Sequence, residues 1–354
     1  MNASANRPLR AVVIGLGQMG RSHALAYHDD PGYKIVGLHD RLPVQLPDTL
    51  AGYPRFDSVD ALLALEPDVV AICTYAPTHA ELAIRAMEAG AHVFVEKPLA
   101  TNLADAREVI ETARRRSRKL VVGYILRHHP SWSAFIDRAR EVGPPYVMRF
   151  NLNQQSSGSA WAIHKHLLES TSPVVDCGIH YVDVMCRIAG SRPVQVRGMG
   201  LRLSSELEGD QVNYGHLQVV FEDGSLGWYE AGWGPMLSET ACFVKDVVGP
   251  RGAVSILLPP DSKSADVDTH TKTGSIRMHS ATLDSRGNFA GDDEWLSMTN
   301  EPGHYELCAR EQRYLAAAIR ENRDLERDYV DALRSLEIVF AAEQSRREKR
   351  AVDL

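Results

Sequence analysis

Five short runs, each apolar nearly from end to end, constrain what the first third of this chain can fold into. They are "LRAVVIG" (9–15), "YKIVGLHD" (33–40), "PDVVAICT" (67–74), "AHVFVE" (91–96) and "KLVVGYI" (119–125). Runs of this kind bury both faces, so they read as strands of a parallel sheet, and the segments between them carry helical spacing. In "THAELAIRAMEAG", Ala80, Ala83, Ile84 and Met87 stand at i, i+3, i+4 and i+7, and Gly90 closes the stripe. A further helix is predicted from about Leu103 to Arg116. The expected fold is an α/β Rossmann domain, a doubly wound parallel sheet, over residues 1–125.

After Arg127 the texture changes. "HPSWSAFIDRAREVG" reads as a helix ending at Gly143, and "SPVVDCGIHYVDVMCRIAG" as another, with Ser172 at the N-cap, Pro173 in the first turn and Gly190 at the C-cap. "YVMRFNLNQ" and "VQVRGMGLRL" read as strands. "HLQVVF" and "LGWYEAGW" flank the turn "EDGS", and "ACFVKDVVG" and "AVSILLP" flank "PRG", which predicts antiparallel hairpins. Residues 259–275 are polar and read as a surface excursion. Helical patterns at about 303–321 and 329–349 close an α+β domain over 126–354.

A net charge of −7 argues against a nucleic-acid partner. The densest basic run, Arg114–Arg116 with Arg118 and Lys119, suits a helix C-terminus. The segment "MNASANRPLR" lacks the apolar core of a signal peptide, and no apolar stretch approaches the roughly 18 to 20 residues of a membrane span. Five scattered cysteines (Cys73, Cys177, Cys186, Cys242 and Cys308) without a CxxC pair suggest a reducing, cytoplasmic setting.

Three constellations carry chemistry. "GLGQMG" sets Gly15, Gly17 and Gly20 between a strand and a helix, the context a dinucleotide fingerprint requires. Asp40 ends the next strand, where a carboxylate accepts hydrogen bonds from the adenosine ribose. In "VVDCGIHYVDVM", Asp176, His180 and Asp183 share one face of a predicted helix, so a carboxylate and an imidazole can act on one hydroxyl. The plainer alternatives are a favourable first-turn acid and a satisfied, half-buried histidine. A metal site would need further ligands at known spacing, and none is expected. "VFVEKP" delivers Lys97 just beyond a strand's carboxyl end, where ligands of doubly wound sheets bind. Pro98 fixes the following backbone, and the competing reading is a strand-end lysine reaching for water.

With these residues in place, the chain resembles the Gfo/Idh/MocA oxidoreductases over about residues 8–345, most closely at "VIGLGQMG", "ICTYAPTHAELA", "VFVEKPLATN", "VVGYILRHHP" and "DCGIHYVDVM". The resemblance implies NAD or NADP in the first domain and a large open, mainly antiparallel sheet in the second. It implies a small-molecule sugar or polyol substrate and assembly as a homodimer or homotetramer. Lys97 resembles the catalytic lysine, Asp176 the substrate-orienting carboxylate and His180 the proton-transfer group. Gln18, Met19 and Arg41 join the glycines and Asp40 in the expected cofactor site, with Thr74, Tyr75, Pro77, His79, Glu96 and Arg127. Tyr124 and Trp161 join Lys97, Asp176 and His180 around the substrate. His164, Lys165 and His166 match no motif of the family. The chain also departs from the family by lacking a glycine pair before the D-x-G-x-H segment. Asp40 favours NAD over NADP by repelling a 2′-phosphate, whereas Arg41 would accept one. Two other activities share this fold: an NAD-dependent glycoside hydrolase working by transient oxidation and elimination, and a non-enzymatic sugar sensor. The complete Lys97–Asp176–His180 set speaks against the sensor.

Overall fold

The computed structural model describes residues 7–238, 243–258 and 271–354. The chain forms two compact units, one running to His128 and adding Pro302–Leu333, the other His129–Glu301 with Arg334–Leu354. No described helix is long and apolar enough to cross a membrane.

The first unit holds five parallel strands: β1 (Leu9–Ile14), β2 (Tyr33–His39), β3 (Val69–Ile72), β4 (His92–Val95) and β5 (Leu120–Val122), in the order β2-β1-β3-β4-β5. Every residue of β3 and β5 is buried, which is why these runs show no polar alternation. Order reverses beside β1, and the crevice at the carboxyl ends of β1 and β3 is the usual ligand position of such a sheet. The helix Leu103–Arg116 has the predicted limits because Asn102 accepts the Asp105 N–H at 2.9 Å and Ser117 turns left-handed after it.

The second unit holds nine strands: β6 (Val147–Gln155), β7 (Pro193–Leu201), β8 (Tyr214–Phe221), β9 (Leu226–Gly234), β10 (Lys245–Gly249), β11 (Gly252–Leu257), β12 (Ser275–Ser280), β13 (Glu294–Ser297) and β14 (Val352–Asp353). The order is β13-β12-β11-β10-β6-β9-β8-β7-β14, antiparallel throughout except for β6 beside β9. Both predicted hairpins are present, although residues 241 and 242, Cys242 among them, lie outside the described residues. One face of the sheet is core: Phe150, Leu217, Val219, Tyr229, Val247, Val254 and Ile276 are all buried. The register puts Val147, Leu226 and Val248 side by side on the other face, where they are exposed together with Met199, Leu201 and Trp295.

Three expectations need correction. The segment from Ser172 to Gly190 is two helices, Pro173–Asp176 and Gly178–Ala189, meeting at Cys177. The second lies so close to β9 that a Cβ on Gly178 would sit 2.7 Å from Tyr229 Cε1. Ser172 and Gly190 do cap the ends as expected. Within the supposed excursion at 259–275, residues 259–270 lie outside the described residues, but Thr271 and Thr273 are fully buried. The Thr271 carbonyl accepts the Trp132 Nε1–H at 2.7 Å, and Thr273 is held by Glu301. A helix at Gly158–Leu167 and the strands β12 and β13 were not expected.

Candidate active site

In the first unit the three loop glycines have different reasons to be glycine. Gly15 sits at φ +86°, and a Cβ there would meet the Cys73 carbonyl oxygen at 2.6 Å. On Gly20 a Cβ would stand 1.8 Å from the Gly15 carbonyl oxygen. Around Gly17 nothing lies within 4 Å, and its φ of −63° suits any residue. Nothing within the chain therefore requires a glycine there. The helix Gln18–Asp29 begins there with no side-chain cap, leaving the first N–H groups, including those of Gln18 and Met19, for another acceptor. An open glycine over an uncapped helix start fits the pyrophosphate of a dinucleotide.

Asp40 follows β2 and accepts the Leu16 N–H at 2.7 Å and the Leu42 N–H at 2.8 Å. It pins the glycine loop to the end of β2, and its remaining lone pairs suit ribose hydroxyls. Arg41 beside it is exposed. After β3 the Thr74 and Thr78 hydroxyls meet at 2.7 Å, Pro77 lies in the turn Ala76–Thr78, and Tyr75 is 57% exposed. His79 is buried, with Nδ1 2.7 Å from the Pro98 carbonyl oxygen and Nε2 2.9 Å from that of Thr74. A neutral ring donates to one carbonyl only. The two carbonyls favour the cation, but burial is the larger effect and holds His79 below the ordinary imidazole value. Through these two contacts the ring ties the loop after β3 to the turn after β4.

Lys97 is half-buried beyond β4. Glu96 is buried, and both its oxygens face protein donors: Oε1 is 2.9 Å from His23 Nε2 and Oε2 accepts the Lys97 N–H at 3.2 Å. Tyr124 is buried under the Arg127 guanidinium, 4.4 Å from its ring, and Arg127 also pairs with Asp328 at 3.3 Å. His23 and Gln312, which stand behind Glu96, were not singled out by the sequence.

In the second unit Asp176 ends one helix half-buried, and His180 lies buried in the first turn of the next. Asp183, though on the same run, turns into the interior, where Ser335 donates to it at 3.3 Å. Trp161 packs with Leu168, Leu207 and Trp233, its Nε1–H donating to Glu206 at 3.0 Å. Of the three residues without a motif, Lys165 pairs with Glu206 and His166 with Glu169. His164 differs: it stacks on Trp233 at 4.6 Å, with Nδ1 2.9 Å from the Ser156 hydroxyl, and it feels the charge of Asp176. Burial lowers its pKa, and Asp176 partly offsets that. Trp233 donates in turn to Gln154, whose oxygen also faces the Cys177 thiol. The wall around Asp176 is thus aromatic and hydrogen-bonded, and no spacing in the sequence pointed to His164, Trp233 or Gln154.

Among known proteins, this chain is 32% identical over 54% of its length to a UDP-N-acetylglucosamine 3-dehydrogenase from Acidithiobacillus ferrooxidans, and the match spans only 58% of that relative. It is 26% identical to the scyllo-inositol 2-dehydrogenase (NAD(+)) of Bacillus subtilis over 98% of this chain and 96% of the other. A solved scyllo-inositol dehydrogenase from Lactobacillus casei, with bound NAD(H) and scyllo-inositol, superposes with a TM-score of 0.76 at 17% identity, covering 98% of this chain and 99% of that one, a likeness of fold. Residues 9–124 match the model of an oxidoreductase family with an NAD-binding Rossmann fold, and residues 145–354 match that family's C-terminal alpha/beta domain. The chain belongs to the Gfo/Idh/MocA oxidoreductase family.

Proposed function

We propose that the protein is an NAD-dependent dehydrogenase acting on a secondary alcohol of a sugar or cyclitol, with Lys97, Asp176 and His180 working on one substrate hydroxyl. The carrying observation is the glycine loop: an open Gly17 at an uncapped helix start, with Asp40 fixing the loop and a lysine just beyond β4 of the same sheet. The relatives' names point to sugar and inositol hydroxyls. NAD, when bound, would supply the redox chemistry by accepting the carbinol hydrogen of the substrate together with its two electrons, as hydride. Gly15, Gly17, Gly20, Gln18, Met19 and Asp40 would hold its pyrophosphate and ribose. His180 takes the hydroxyl proton as general base. Lys97 places a positive charge beside the oxygen as it becomes alkoxide-like, an effect worth most where water is excluded. Asp176 accepts a hydrogen bond from that hydroxyl and orients the imidazole. Four of the five cysteines are free thiols, which suits a reducing cytoplasm.

A panel of polyols, hexoses and nucleotide sugars, followed by absorbance of reduced coenzyme, tests the activity. Lys97→Ala should lower kcat by roughly 10²- to 10³-fold while NADH still binds. His180→Ala should lower it by about 10²- to 10⁴-fold and remove the acidic limb of the kcat/KM profile. The double variant should cost less than the product of the singles, since both act on one proton transfer. Turnover near that of the parent in Lys97→Ala overturns the assignment.

A further inference from the structure

The helix His304–Arg320 brings polar residues into the core of the first unit, and their hydrogen bonds lead to Glu96, the residue before Lys97. Gln312 is fully buried. Its main-chain oxygen accepts the Tyr33 hydroxyl at 2.7 Å and its Oε1 the Tyr27 hydroxyl at 2.6 Å. Its Nε2 lies 2.9 Å from Nδ1 of His23, itself fully buried. An amide nitrogen only donates, so Nδ1 must accept, and the single hydrogen of a neutral imidazole stands on Nε2. That nitrogen is 2.9 Å from Glu96 Oε1. The chain of donors therefore runs one way, from Tyr27 through Gln312 and His23 to the Glu96 carboxylate.

A second acid stands nearby. Glu311 is 1% exposed, and its Oε1 has no hydrogen-bond partner. Burial and the neighbouring Glu96 push its pKa far above the usual carboxylate range, whereas His23 and Lys97 hold Glu96 below it against the opposing effect of burial. Two carboxyl groups thus share one negative charge, and it rests on Glu96. Of the other groups around Glu96, burial disfavours the charged form of His79, and burial together with these acids pushes the Cys73 and Cys308 thiols upward. The Lys97 N–H donates to Glu96 Oε2 at 3.2 Å, and the Lys97 charge helps hold Glu96 ionised.

We propose that His23 and Gln312 are positioning residues for Lys97: they fix the imidazole in the tautomer that donates to Glu96, and the carboxylate so held keeps Lys97 an ammonium ion. The donor atoms of His23, Cys308 and Glu311 also lie within 4.8 Å of one another, the spacing of a metal site. The His23 Nδ1 lone pair is taken up by Gln312, however, and the thiol and the acid hold their protons, so the arrangement favours a proton-holding cluster. Lys97's part in turnover rests on the function proposed above, whereas its charge state does not.

The test is competitive acetylation of Lys97 across pH, read by mass spectrometry on the full-length protein without coenzyme. It needs no turnover, so it fails independently of the proposed activity. Glu96→Gln and Gln312→Leu should each lower the pH midpoint of Lys97 labelling, by about one to two units where the charge is lost outright. His23→Leu should do the same, and His23→Gln, which keeps an N–H donor, should restore much of the parent midpoint. If Glu96→Gln does not fold, Gln312→Leu decides: a lower melting temperature with an unmoved midpoint makes the chain of bonds merely structural and overturns the proposal. One equivalent of tightly bound zinc in the purified protein, lost on His23→Leu, overturns it too.

Discussion

Alanine at two glycines of the same loop should have opposite effects. At Gly17 a Cβ meets nothing within 4 Å and the backbone is extended, so Gly17→Ala should fold normally and gain a few tenths of a kcal/mol from reduced freedom of the unfolded chain. At Gly20 the Cβ would lie 1.8 Å from the Gly15 carbonyl oxygen, closer than any contact allows, and the neighbour is backbone that cannot swing aside. Gly20→Ala should therefore cost about 3 kcal/mol or more, in line with severe overpacking. The coenzyme should sense the reverse. If its pyrophosphate approaches the backbone at Gly17, a methyl there introduces a clash of roughly 1 to 3 kcal/mol, or about a 5- to 150-fold loss in affinity. Melting by circular dichroism and titration of NADH fluorescence measure the two effects separately. The reasoning fails if Gly17→Ala binds NADH like the parent, or if it melts well below the parent while Gly20→Ala does not.

Three further outcomes follow from the same geometry. The parent enzyme should show a higher kcat/KM with NAD⁺ than with NADP⁺, because the Asp40 carboxylate repels a 2′-phosphate; the opposite ratio would show that Arg41 governs the site. Burial lowers Lys245 to about 7, outweighing the favourable Glu301 charge, while the Trp132 and Tyr181 rings at 5.5 and 5.6 Å also favour the cation. The unfolded chain holds that proton up to about pH 10, so between these values unfolding takes up a proton and stability rises with pH. Lys245→Met should thus stabilise by a few kcal/mol near pH 7 or below, with the gain vanishing by about pH 10, as urea unfolding at several pH values would show. Light scattering at micromolar concentration should report a homodimer or homotetramer, and Leu226→Arg, next to Val147 on the open sheet face, should reduce its mass; a monomeric parent rejects that interface.

What could be read from the sequence was whatever local chemistry decides. The limits of Leu103–Arg116 follow from Asn102 and the turn at Ser117, and those of the segment ending at Gly190 from Ser172, Pro173 and that glycine. The break at Cys177 had no local sign, because it accompanies the close fit of Gly178 on Tyr229, some fifty residues away. The helix Gly158–Leu167 starts at a glycine with φ of +54° and has only Trp161 fully buried, so no apolar stripe announced it. In "SIRMHS" and "EWLS" too few residues are buried to leave an alternation. The same division holds around the candidate site. Lys97, Asp176 and His180 stand in motifs, but Gln312 belongs with His23 only because a late helix returns to the first unit.

That return has a consequence for how the protein is made. Tyr27 finds Gln312 at a separation of 285 residues, and the Leu120 N–H reaches the hydroxyl of Tyr329. The parallel sheet is complete in the nascent chain by Val122, yet the partners of Tyr27, Tyr33 and His23 emerge only after the whole of His129–Glu301 has been synthesised. At roughly 5 to 20 residues per second that is a wait on the order of ten seconds or more. Throughout it, the surface destined to meet the helix His304–Arg320 stays open, with its hydroxyls and imidazole bound to water. Long-range closure of this kind is slow, and it leaves the nucleotide-binding half unfinished until nearly the whole of the other unit has been translated.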